Sequence, residues 1–193
     1  MGLRGDLQQI IDEIDAADRA ADALNARLSG EQFTWHEDGR WSVAQCLDHL
    51  ATMNTCYGAA IREGVERARQ RGLRGGGPIA PTFAGAWFIR SMEPPVKHRG
   101  RTPAAARPVS QGSREDIMRA YHQAHDQFRD LVRSCADIDV NRATYANPFL
   151  HIVPMRVGTG LRIIPAHDRR HLWQAEQVTR AAGFPRSLPA TPD

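Results

Sequence analysis

His167 and His171, in the run Ile163-Ile164-Pro165-Ala166-His167-Asp168-Arg169-Arg170-His171-Leu172-Trp173-Gln174, are the residues of this chain best suited to chemistry. Four positions on a helix advance a little more than one turn, so the two imidazoles stand one above the other. They can converge on one point, which is how a helix offers two ligands to a metal ion. The surrounding pattern turns them inward: Ile164, His167, His171, Gln174, Val178 and Ala181 follow a 3-4-3-4-3 spacing, the seam of a helix packed in a bundle. Buried imidazoles need partners for their ring nitrogens, and two protonated ones would repel, so polar neighbours or a metal must satisfy the pair.

Four helices can position such a pair. The first runs from Leu3 to Leu28, with apolar residues at Leu3, Leu7, Ile10, Ile14, Ala17, Ala21, Leu24 and Leu28 and with Gly30 as its stop; a connecting loop follows to Arg40. The second opens on Ser42 as N-cap with Gln45 three residues later, a capping box, and continues to about Arg71. Its stripe is Val43, Cys46, Leu47, Leu50, Met53, Tyr57 and Ile61, with His49 on the flank. Ser113 caps the third, followed by Glu115 and Asp116, and this helix ends near Cys135. The fourth spans about Thr159 to Ala182, with Pro165 marking either a kink or its true first turn. Between the second and third helices, residues 72–112 carry seven glycines and six prolines, which predicts a long irregular insertion, with Phe83 to Arg90 as a short apolar helix inside it. Residues 137–160 read as irregular, and a proline-containing tail begins near residue 184.

Length and composition set the class. One domain over residues 1–193 is expected, and a chain that is 41% hydrophobic and 24% charged should fold. No apolar run approaches the roughly 18 residues of a membrane span, and the start lacks a signal-peptide core, so a cytoplasmic protein without a membrane partner is expected. Cys46, Cys56 and Cys135 have no paired spacing and read as free thiols. Net charge is +3, carried by arginine with Lys97 as the single lysine. The arginines between Arg62 and Arg74 are interleaved with Glu63 and Glu66 and lack aromatic platforms, so they read as a solvated face and no nucleic-acid partner is expected.

A two-histidine pair needs a third ligand, and His49, near the start of a different helix and facing inward or nearly so, is the best candidate. Trp41-Ser42-Val43-Ala44-Gln45-Cys46-Leu47-Asp48-His49-Leu50, followed much later by His167-Asp168-Arg169-Arg170-His171, resembles the two hallmark segments of the DinB-like (DinB/YfiT) superfamily of metalloenzymes. The resemblance implies an all-α, up-down-down-up four-helix bundle, often a homodimer, in which His49, His167 and His171 bind a divalent ion such as zinc or nickel. It also implies an enzyme acting on a small-molecule substrate with a low-molecular-weight thiol such as mycothiol or bacillithiol, as an S-transferase or isomerase. Nitrogen ligands alone also accept manganese or iron. Three neutral imidazoles leave a coordination position for a thiolate or a water, so transfer of a thiol and hydrolysis are both open. Asp168, Gln45 and Glu176 are candidates for outer hydrogen bonds or proton transfer.

Other readings compete. The three histidines can instead be buried imidazoles bonded to Asp48, Gln45 or backbone, in a non-catalytic bundle that binds a ligand or partner with a structural metal or none. His167-Asp168-x-x-His171 differs from a metalloprotease helix in its shorter acid, and only 22 residues follow His171, none of them histidine. Cys46, one turn before His49, reads as packing rather than as a nucleophile. His36, His98 and His151 read as loop surface residues, and His122 and His125 as ordinary helix-face positions. Trp87, Phe149 and Trp173 are candidates for a cleft wall.

Overall fold

The computed structural model describes residues 3–96, 102, 107–108, 112–149 and 154–186, and it is mostly helical. His98 and His151 lie outside the described residues. The helices are α1 (Gly5–Ala26), α2 (Gly30–Thr34), α3 (Val43–Gln70), α4 (Phe83–Met92), α5 (Arg114–Ser134) and α6 (Val157–Thr179). A short antiparallel pair, β1 (Thr144–Ala146) and β2 (Pro154–Arg156), sets Tyr145 opposite Met155.

Local chemistry explains the helix starts. Ser42 Oγ accepts from the Gln45 amide at 3.1 Å while Gln45 Oε1 accepts from the Ser42 amide at 2.9 Å, tying up backbone donors that would otherwise be orphaned. Ser113 and Asp116 do the same for α5. A third capping box, Ser29 with Gln32, overturns the role assigned to Gly30: α1 already ends at Ala26, and Gly30 begins α2. Arg114 then closes the end of α1, its guanidinium donating to the Leu28 carbonyl at 2.8 Å and to the Asn25 side chain at 2.5 Å. Pro165 lies inside α6, which starts earlier than anticipated, at Val157, so the proline is not in the first turn. Residues 137–160 are not wholly irregular, since they contain β1 and β2; strands of three residues are too short to leave a periodic signature.

Each long helix packs on two others: α1 on α5 and α6, and α3 on α5 and α6. Two apolar clusters fill the space between them. Ile10, Ile14, Ile61, Phe128, Leu131 and Leu161 belong to one, while Leu24, Leu47, Leu50, Tyr121 and Ala175 belong to the other. α4 lies against α6 through Met92, Ile163 and Ala166. The sheet is pressed onto α3 where Gly64 removes the side chain: a Cβ there would stand 2.7 Å from the Thr144 carbonyl oxygen and 2.9 Å from Tyr145 Cβ. Backbone cannot yield as a side chain can. Gly64→Ala is therefore expected to lower stability by about 1–3 kcal/mol, read as a lower urea midpoint at unchanged slope.

Candidate metal centre

α3 and α6 bring His49, His167 and His171 together. Each offers one ring nitrogen, and these atoms all lie within 4.8 Å of one another. Two nitrogens held at roughly 2.0–2.1 Å by one tetrahedral ion stand about 3.3 Å apart, and the Nε2 atoms of His49 and His167 are separated by 3.4 Å. His171 Nδ1 is buried without a hydrogen-bond partner. A compact set of three imidazoles with one orphaned buried nitrogen fits a divalent ion of the zinc or nickel type.

Burial differs from the anticipated seam. His49 is only 2% exposed and is a core residue of α3, not a flanking one. On α6 the buried positions include Ile164, Asp168, His171, Leu172, Ala175 and Val178, whereas His167 and Gln174 are half-buried, and Ala181 lies beyond the end of the helix at Thr179. The helix is rotated so that Asp168 points into the core and His167 stands at its margin. Trp41, just ahead of the Ser42 cap, stacks on His171 with ring centroids 5.6 Å apart and also packs on His49 at 4.8 Å.

This environment keeps His167 and His171 neutral. Burial, then the neighbouring His49, pushes the pKa of His167 down from 6.5 to about 3, and burial with both other histidines holds that of His171 well below 6.5. Neutral rings present lone pairs, so near neutral pH a cation need not displace protons from these two.

Behind the triad lies a polar layer that takes one residue from each long helix. Asp168 Oδ1 accepts from Asn54 Nδ2 at 2.9 Å, and His125 Nδ1 meets Asp18 Oδ1 at 2.6 Å. His125 Nε2 stands 3.3 Å from Asp168 Oδ2, an ion-pair separation without the alignment of a hydrogen bond. His125 and Asp168 are both 0% exposed. Burial opposes a charge on His125, but Asp168 and Asp18 outweigh it and raise the pKa from 6.5 to about 9. Arg129 pairs with Asp18 on the far side. His125 is thus not an ordinary helix-face position. Its place in the stripe Ile117, Tyr121, Ala124, Phe128 was a signal, but the carboxylates it meets come from other helices.

The remaining candidates separate. Gln45 spends its side-chain carbonyl on the α3 capping box, and Glu176 pairs with Arg27 at 2.7 Å. Asp168 is adjacent to His167 in sequence, yet its carboxylate faces Asn54 and His125. Cys46 is buried, and its thiol is pushed far up by burial, as expected of a packing residue. His36 is exposed, His122 meets Asp22 at 2.9 Å, and Trp87 is 66% exposed. Phe149 packs on the Tyr57 ring. Beside His167 lies a cavity of about 130 Å³, whose wall includes Phe88 and Met92 from α4.

Comparison with known proteins agrees with this geometry. A family model for the DinB superfamily matches residues 13–175. Among curated proteins and among solved structures, nothing matches the chain. No described helix is long and apolar enough to cross a membrane.

Proposed function

The chain belongs to the DinB superfamily, and from that premise we propose that it is a divalent-metal-dependent enzyme that uses a low-molecular-weight thiol, or water, as nucleophile on a small-molecule substrate. The observation that carries this reading is the convergence of His49, His167 and His171, whose ligand atoms lie within 4.8 Å. In it these three residues hold the ion, with zinc or nickel preferred. A bound ion supplies the Lewis acidity that turns a thiol or water into a nucleophile near neutral pH.

The chain's own residues do the rest. Trp41 fixes the ring planes of His49 and His171 by stacking and shields that side from water. Asp168, tied to Asn54 and His125, holds α6 in the rotation that presents His167 and His171. The proposed architecture is a single up-down-down-up four-helix bundle. Supporting it, α1 and α6 pass from the Ile14 and Leu161 cluster to the Leu24 and Ala175 cluster, while α3 and α5 pass from the second to the first.

Metal uptake tests the proposal. After incubation with zinc or nickel and desalting, the protein is expected to keep one equivalent per chain by elemental analysis. Nickel should quench tryptophan emission in the wild type, and Trp41→Phe should remove most of that quenching. The loaded protein should then accelerate the reaction of a thiol with an electrophile relative to the metal-free form. Absence of retained metal, together with a thermal midpoint unmoved by zinc or nickel, would return the histidines to a purely structural role.

A further inference from the structure

We propose that the cavity beside His167 is the recognition pocket for a compact, uncharged, apolar group of the substrate, about the size of one six-membered ring. The inference deepens the metal-site reading and rests on it for where the reacting atom sits.

Three elements build the wall. α3 contributes Met53 and Tyr57, α6 contributes Ile163 and His167, and α4 contributes Phe88 and Met92. None of the lining residues is an acid, a lysine or an arginine. Two of the polar groups that border it already have a partner: Asn54 Nδ2 donates to Asp168 Oδ1 at 2.9 Å, and the Tyr57 hydroxyl accepts from Asn147 Nδ2 at 3.2 Å. An ionic group entering here would lose its hydration and gain no counter-ion, whereas an apolar group loses nothing and removes its surface from water.

Size narrows the class further. The volume is about 130 Å³, close to that of an apolar protein cavity of about 150 Å³ that binds benzene. Tyr57 and Phe88 supply aromatic surface, and the thioethers of Met53 and Met92 adapt to a ring edge. The α4 wall is anchored, because Arg169 on α6 grips both carboxylate oxygens of Glu93, just past Met92, at 2.9 and 2.6 Å. His167 belongs both to this wall and to the histidine cluster. A ring seated in the pocket therefore places its substituent beside the proposed ion.

Two probes test the pocket. On metal-free protein, benzene and benzoate are compared by ligand-observed NMR. Benzene is expected to bind, and benzoate to bind at least about tenfold more weakly. On zinc-loaded protein, 4-phenylimidazole is expected to bind at least about tenfold more tightly than imidazole, the phenyl group occupying the cavity. Met92→Trp, which fills the cavity, should abolish benzene binding and the phenyl preference, and Phe88→Ala, at the rim on α4, should weaken both several-fold; metal content is measured alongside each.

If benzene does not bind the metal-free protein, or if both variants keep the full phenyl preference, the proposal is overturned. Loss of the metal reading would show as absent zinc with benzene still bound, and loss of the pocket as one equivalent of zinc with no preference for the ring.

Discussion

His171→Ala is expected to abolish stoichiometric retention of zinc or nickel. Removing a partner that merely orients a ligand costs roughly 10–100-fold in metal affinity, and deleting one of three ligating rings should cost more. The effect has a thermodynamic counterpart. A ligand present at about 100 times its Kd stabilises the folded state by about 2.7 kcal/mol, so the thermal shift produced by zinc in the wild type should disappear in the variant. His49→Ala should behave alike, because that ring lies on the other helix but offers its nitrogen to the same point. His36→Ala, at an exposed position, should keep both the metal and the shift. Full retention in His171→Ala would remove the ring from the ligand set.

The second large effect is expected at His125. Its imidazole sits between the Asp18 and Asp168 carboxylates with no exposure to solvent. His125→Ala strands Asp168 in the core with only the Asn54 hydrogen bond, and breaking a buried pair in this way costs about 3–5 kcal/mol. Chemical denaturation of the metal-free protein at neutral pH should read that loss. Asp168→Asn in the same background should recover part of it, since the amide needs no counter-charge; a double variant no more stable than His125→Ala would show that the pair is not what the layer depends on.

The same layer predicts the pH profile of the metal-free protein. His125 has a folded pKa of about 9 against 6.5 unfolded, so its contribution is complete below pH 6.5 and is lost as pH rises through 9, an amount of roughly 3 kcal/mol. His167 and His171 act in the opposite sense. Their folded pKa values are depressed, so stability is intact above pH 6.5 and falls as pH drops below it. A maximum near neutrality is expected, and His125→Ala should flatten only the alkaline side.

Most of the helical framework was legible in the sequence. The capping box at Ser42 and the N-cap at Ser113 placed the starts of α3 and α5 to the residue, because a cap is a contact between neighbours two or three positions apart. Two thirds of the histidine triad was legible for a related reason, since His167 and His171 are related by one turn, whereas His49 is singled out by its place near the start of another helix and by the resemblance to the DinB-like superfamily. Gly30 misled because glycine both ends and begins helices, and the Ser29 to Gln32 box decided between the two. β1 and β2 were illegible because pairing across a loop leaves no period in three residues.

By itself, then, the sequence determined the four long helices, the caps at Ser42 and Ser113 and the stacked pair His167 and His171. These follow from interactions within a turn or two of one helix, whereas the meeting of His49 on α3 with that pair on α6 needed the helices to pack. Tertiary structure alone decided how α6 is rotated, and therefore that Asp168, not Gln174, enters the core. It also decided that His125 becomes a buried cation between carboxylates of two other helices, and that α4 walls a cavity beside His167. The physical reason is shared: an apolar stripe specifies that a helix is buried, but not the rotation and height at which it meets its neighbours. Those are set by the joint packing of α1, α3, α5 and α6 around one polar layer.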